Sequence, residues 1–566
     1  MDYYGTAKTV IQDVYNVYVF ISGVVEDVKM YDQDRKEIQV ELNFQLIFVN
    51  SFRKLFFDEA EGALLMPGHL PLESAQIIVD VLERLKSSLS AYEALALKHG
   101  VMQTSDAEHE SSLQPALAKS TSFGDRIKAK TKGVSKKIGW SLMDKEKLLA
   151  TLSACTKWTE KIRHLTQFFL QVSGPVEAQL SRTKLGESDT LHGLGLHNVV
   201  KRQSIAGKNP PAEFMELNGQ IIQEASSGGI RTGTWQLGDV SKEMVVEYRQ
   251  YDSAMRRDDL EPDELADLKA PMRTLAWLLH NAEFPEGEGS SRQSSDQPAI
   301  YSLRCLGYMD QPANERTVFL FHFPPKDQSS GADSSSIATL HGLINAVKPG
   351  TSKAIRKPSL GDRFLLAHTL SLTVANIHGS GWVHKNIWSR GILCFPTTTP
   401  GTSSSSTTIT GTQPHLLPYL TDWGFARPTT AGTDLRADFE VEPNLYRHPD
   451  RQGKPTYQFT KQHDMYALGV VLLEIGLWTT VSKIFAKDIH DHEKSGSLPK
   501  GREVRKGLVS LAETELTKQM GTAYAGAVVA CLKGQFGVKN DDMNQTSLSI
   551  AFTEKVVETV VAGVKL

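Results

Sequence analysis

The period of the apolar residues changes part-way along this chain, and that change restricts what it can fold into. Val10, Val14, Val17, Ile21, Val24 and Val28 recur at steps of three and four, one face of a long helix. Ile38, Leu42, Leu46, Val49, Phe52 and Phe56 define a second such face. Met66-Pro67-Gly68 and Leu70-Pro71 interrupt the pattern. Ile78, Val81, Leu85, Leu89 and Tyr92 resume it as a third helix, and residues 104–122 read as a polar loop. Leu148, Leu152, Cys155, Ile162, Leu165 and Phe169 predict a last long helix, closed by Ser173-Gly174-Pro175. From about residue 213 the texture differs. Residues 243–248, 299–305 and 317–323 read as short strands, and helical stretches return at 360–378 and 465–477.

A chain of 566 residues exceeds what one hydrophobic core organises, so the change of period is read as a domain boundary. The expected layout is an all-α bundle over 1–185, a Gly- and Pro-containing linker over 186–212, and an α+β domain over 213–566. Two low-complexity stretches, 286–297 and 397–413, read as surface loops inside the second domain. A net charge of −3 gives no reason to expect nucleic acid. The four cysteines are far apart and form no C-x-x-C, which argues against a zinc site and for a reducing compartment. No apolar run reaches about 18 residues, so no constitutive transmembrane helix is read. The stretch from Val17 to Val25 runs into Glu26-Asp27 rather than a small-residue cleavage site. The expected setting is the cytoplasm.

The second domain carries four ordered motifs. His384-Lys385-Asn386 precedes the apolar run Ile392-Leu393-Cys394-Phe395. Asp422-Trp423-Gly424 follows, then Tyr446-Arg447-His448-Pro449-Asp450 and Asp464-Met465-Tyr466-Ala467-Leu468-Gly469. In this order they resemble the catalytic loop, metal loop, activation-segment end and buried helix start of protein kinases. The resemblance implies a two-lobed fold, with an N-lobe over about 213–323 and a C-lobe over about 324–566. It also implies that Asp464 holds the catalytic-loop backbone and that His384 is structural. Against the kinase pattern, Asn386 stands at the base position, Trp388 at the loop lysine and Gly391 at the metal-binding Asn. Losing a general base costs on the order of 10²–10⁴ in rate. Asp422 remains, either as a ligand for one Mg²⁺ or as a loop cap. In the N-lobe, Arg249 is placed in the phosphate-binding slot, with Glu264 or Asp267 as its helix partner or as solvated acids. Residues 227–233 stand for the phosphate-covering loop or for a plain β-turn. ATP and Mg²⁺ are therefore weak expectations, and the domain reads as a pseudokinase.

The first 185 residues resemble the HeLo domain of fungal incompatibility proteins. The likeness lies in the N-terminal apolar helix, in Tyr31-Asp32-Gln33-Asp34 before the second helix, and in the run from Lys137 to Leu148. With a pseudokinase behind it, the layout is similar to that of mixed-lineage kinase domain-like proteins. The resemblance implies a bundle that self-associates and perturbs membranes, with the first helix, through Val17 and Ile21, entering the bilayer. Lys128, Lys130, Lys132, Lys136 and Lys137 crowd one segment and suit anionic lipid at the inner face of the plasma membrane, or form a solvated connector. Asp13 and Asn16 oppose a spanning role for the first helix, which also reads as a core helix. The expected function is a pseudokinase-regulated effector of cell death. It would respond to an upstream protein or ligand. Alternatives are an active protein serine/threonine kinase and a non-catalytic scaffold.

Overall fold

The computed structural model describes residues 3–27, 32–57, 72–98 and 145–172. It also describes 210–564, less 283–299, 324–337, 348–356, 398–414, 433–437 and short breaks at 228, 258, 456, 496–498, 539–540 and 542–544. The chain divides into two compact units, Met1–Ser204 and Ile205–Leu566.

The first unit is helical. Its elements are α1 (Tyr3–Asp27), α2 (Asp32–Phe57), α3 (Leu72–Ser88), α4 (Ser90–Lys98) and α5 (Lys145–Val172). Helix α1 packs on α2 and α3, and α5 closes the bundle against both. Val10, Val14, Val17, Ile21 and Val24 of α1 are buried, as are Ile38, Leu42, Val49, Phe52 and Phe56 of α2. The predicted third helix is two, because the chain turns at Leu89 between α3 and α4. On α2, Gln45 rather than Leu46 is fully buried. Its Nε2 donates to Glu41 Oε1 at 3.1 Å and to Thr156 Oγ1 at 2.8 Å, so the amide is buried with partners across α2 and α5. Asp13 is likewise paired, to Lys86 of α3 at 2.6 Å. Val40, Phe44 and Ile47 form an exposed apolar stripe on α2.

The second unit opens with a five-stranded antiparallel sheet in the order β1-β2-β3-β5-β4. Its strands are β1 (Gln220–Ser227), β2 (Ile230–Leu237), β3 (Val240–Gln250), β4 (Cys305–Gln311) and β5 (Arg316–Phe321). Within 227–233, Ser227 ends β1 and Ile230 begins β2, and Gly229 just before β2 has φ +92°, in the left-handed region. The strand expected over 299–305 starts instead at Cys305. Helix α6 (Pro262–His280) packs on β4.

Helices and small sheets follow. Short β6 (Ala338–Thr339) precedes α7 (Leu360–Gly379). Strand β7 (Trp382–Val383) comes next, then the antiparallel hairpin β8 (Ile392–Thr397) and β9 (His415–Leu420). The Thr/Ser/Gly/Pro-rich insert lies between these two strands in the chain and, from residue 398 to 414, outside the described residues. Strand β10 (Arg427–Pro428) pairs with β7. Helix α8 (Lys461–Leu477) is largely apolar from Met465 onward, and 15 of its residues are buried, which marks it as the centre of this half. Helices α7 and α9 (Thr517–Lys533) pack on it. All four cysteines are buried thiols.

Candidate functional site

Asp464, in the first turn of α8, organises the loop that follows β7. Its carboxylate accepts from the backbone N–H of His384 at 2.7 Å and of Lys385 at 2.9 Å. His378 Nε2 lies 3.1 Å away. Burial pushes the Asp464 carboxyl up, but His378 and the His384 N–H more than offset it and hold it below its ordinary value. The loop needs such an anchor, because Lys385 sits at φ +74°, where a non-glycine residue is strained. His384 is fully buried, and its ring meets that of Trp423 edge-on at 4.8 Å. Burial drives its imidazole down to about 4, so it is neutral and structural.

Asp422 lies beyond β9, also in the left-handed region at φ +67°. Its own N–H and that of Trp423 donate to Glu247 of β3, at 3.0 and 2.6 Å. Its Oδ2 accepts from Trp388 Nε1 at 2.7 Å and from Asn386 Nδ2 at 3.1 Å. Two of the three residues that depart from the kinase loop pattern, Asn386 and Trp388, therefore hold the carboxylate that the pattern gives to a metal. Gly391 makes this closure geometrically available. A Cβ there would lie 2.7 Å from Asp422 Oδ2 and 2.9 Å from Trp388 Cδ1.

Arg249 is not at this point. It faces the same side of β3 as Glu247 but two residues further on, about 7 Å along the strand. Its Nη1 donates to the Ala426 carbonyl, and its Nη2 lies 3.6 Å from Asp252. Glu264 is no partner of Arg249. It closes a capping box at the start of α6, accepting from the Glu261 N–H at 3.1 Å. The β3 residue beside Asp422 is thus Glu247 rather than Arg249. Burial, and then the charge of Asp422, push its carboxyl up to about 8, against the pull of the two backbone N–H groups. Sequence reasoning passed over Glu247 because a lone acid in an alternating strand reads as its solvent side. The one available signal was its place two residues beyond Val245.

A cavity of about 320 Å³ is lined by Arg231, Val245, Glu247, Arg390, Leu393 and Asp422 among others. These residues do not fit a Mg²⁺–ATP complex. Two carboxyl groups face where phosphates would lie, Asp422 Oδ2 is already engaged by two donors, and position 391 offers no ligand atom. Elsewhere, His448, Asp450 and His463 bring ligand atoms within 4.8 Å of one another. The Thr460 N–H donates to His463 Nδ1 at 2.8 Å, and the positive charges of Arg451 and Arg505 act on the two imidazoles. That field opposes a metal cation.

Of the residues expected at a membrane, Val17 and Ile21 lie in the bundle core, 1% and 0% exposed. Lys128, Lys130, Lys132, Lys136 and Lys137 fall outside the described residues. Among the described residues no helix is long and apolar enough to cross a membrane.

Residues 314–565 match the model of a family described as a domain of unknown function, DUF7580. The match takes in both loops, Asp464 and the helices around them, but not β3 with Glu247. No curated protein matches the chain.

Proposed function

We propose that the second unit is a kinase-like regulator without phosphotransfer, and that it governs a membrane-active helical bundle in regulated cell death. One observation carries the first half of this reading: Asn386 and Trp388 hydrogen-bond the Asp422 carboxylate, while Glu247 faces it in place of a lysine. A kinase works by positioning phosphates and neutralising their charge. Here the corresponding groups bind one another. The antiparallel sheet, the hairpin after the loop and the anchoring by Asp464 are what a two-lobed kinase-like fold requires.

The second half rests on the HeLo-like layout of the bundle. Self-association is supported by the exposed stripe of Val40, Phe44 and Ile47. The same stripe favours a second reading, in which the chain is a scaffold that only binds proteins. In the executioner reading, α1 leaves the bundle, because the face it would offer to lipid is now core. Activation then takes the protein from the cytoplasm to anionic lipid at the inner plasma membrane.

Liposome leakage tests the proposal. Residues 1–185, shown folded by circular dichroism, should release dye from vesicles containing phosphatidylserine, and the full chain should release less. Replacing Lys128, Lys130, Lys132, Lys136 and Lys137 by Gln should weaken vesicle binding at least a hundredfold, since each basic residue near the surface contributes about 1 kcal/mol. Binding should also fall between 0.05 and 0.5 M salt, as screening shortens the reach of the charges. A folded bundle that neither binds nor leaks vesicles leaves the scaffold reading.

A further inference from the structure

Two helix faces of the second unit carry opposite charge at the same spacing. On α6, Asp263, Ala266, Asp267 and Ala270 are all exposed. They stand at i, i+3, i+4 and i+7, one face of the helix, while Met272, Leu275, Ala276 and Leu279 are buried on the opposite side. The other acids at this end are engaged. Asp259 pairs with Arg257 at 2.7 Å, and Glu261 and Glu264 close the capping box. Asp263 and Asp267 have, among the described residues, no cation within ion-pair distance. An acid in the first turn suits the helix dipole, which accounts for Asp263 but not for Asp267 or the exposed alanines.

The helix Gly501–Leu511 repeats the pattern with the other sign. Arg502, Arg505, Lys506 and Val509 again stand at i, i+3, i+4 and i+7, and they line a groove of about 430 Å³ with Lys533 and Glu513. Lys533 is neutralised by Glu513 at 2.7 Å. Arg502, Arg505 and Lys506 have, among the described residues, no carboxylate within ion-pair distance, and Arg502 and Lys506 are exposed. Glu503, the one acid of this helix, is outside the groove lining. Cations this early in a helix oppose its dipole, so they do not serve the helix itself. Helix α6 packs on β4 and the basic helix on α9, and no ion pair joins the two faces within one chain. An anionic membrane would answer the basic face alone. A second copy of the chain answers both.

We propose that α6 of one molecule docks against the helix Gly501–Leu511 of a second copy. Asp263 and Asp267, one turn apart, meet Arg502 and Lys506, also one turn apart, and the small Ala266 and Ala270 let the long basic side chains lie along the acidic helix. The contact joins two different surfaces. It is therefore head-to-tail, and it extends into rings or open chains. It uses only the surface of the second unit, so it stands apart from the kinase-like and membrane readings and from the α2 stripe.

Sedimentation velocity on the full chain tests it. In low salt the parent should associate reversibly with rising concentration, and high salt should release it, as screening weakens exposed ion pairs. Arg502→Gln with Lys506→Gln should weaken association about tenfold, and Asp263→Asn with Asp267→Asn should do the same. All four positions are exposed, so circular dichroism and thermal unfolding should match the parent. A mixture of the two double variants should associate at the parent's strength and stop at one-to-one, because only one matched pair of faces remains. A parent that stays monomeric in low salt overturns the proposal. So do variants that associate as tightly as the parent, which would place the contact on the bundle, and a mixture that associates no better than its components. Loss with the basic-face variant alone also overturns it and assigns the groove to another anionic partner.

Discussion

Asp464→Ala should destabilise the second unit by about 3–5 kcal/mol, the loss expected when one member of a buried charged network is removed. The carboxylate is fully buried and bonded by two backbone N–H groups, with His378 beside it. Without it, two N–H groups are buried with no acceptor and Lys385 loses the bond that holds it at positive φ. Asp464→Asn should recover only part of the loss, because one N–H would face an amide N–H₂. The direction with pH follows from the depressed carboxyl. Its contribution is full above the unfolded value of about 3.9 and disappears as pH falls through the lower folded value. Denaturant unfolding of parent and variants at pH 7 and below pH 4 measures both. A loss under about 1 kcal/mol at pH 7 would show that the loop is held by something else.

Asn386→Asp restores the kinase base in sequence, yet the expected result is a weaker protein with no gain of phosphotransfer. The new carboxylate would lie against Asp422 where Asn386 Nδ2 now donates at 3.1 Å, and Glu247 is next to Asp422. A hydrogen bond to a charged group is exchanged for repulsion, a loss of about 2–4 kcal/mol when all three are ionised. Burial has already raised Asp422 and Glu247. The added acid would be raised too, so the variant's deficit should grow as pH rises from 5 to 8. Transfer of labelled phosphate with Mg²⁺ or Mn²⁺ should stay at background in parent and variant. Incorporation that Asp422→Ala abolishes would sink the non-catalytic reading.

The sequence made some elements legible because their burial is one-sided. Helices α1, α2 and α5 show their core faces at steps of three and four, β5 is an apolar run, and β3 carries Met244-Val245-Val246 at its centre. Strands β1 and β2 were not legible, since Gln220–Ser227 is largely polar and exposed. Ile300, Tyr301 and Leu303 are buried outside the main sheet, so their apolarity placed a strand too early. Leu89 kept the helical period across a turn and hid the end of α3. In the site, His384, Asn386, Trp388, Gly391 and Asp422 were found by order and spacing. Their bonding to one another was not, because it depends on loops 34 and 36 residues apart in the chain. Arg249 was read from its charge, and the strand neighbour that meets Asp422, Glu247, depends on which residue of β3 the second loop approaches.

The four buried cysteines have a practical consequence. Burial pushes the Cys305, Cys394 and Cys531 thiols far up, to about 12 for Cys394, and Cys155 to about 11, so their nucleophilic thiolates are scarce while the protein is folded. Cys155 lies in α5, and the other three lie in β4, β8 and α9. An alkylating reagent therefore reads the opening of each unit separately in the unaltered chain: one slow label reports the bundle, and three report the second unit.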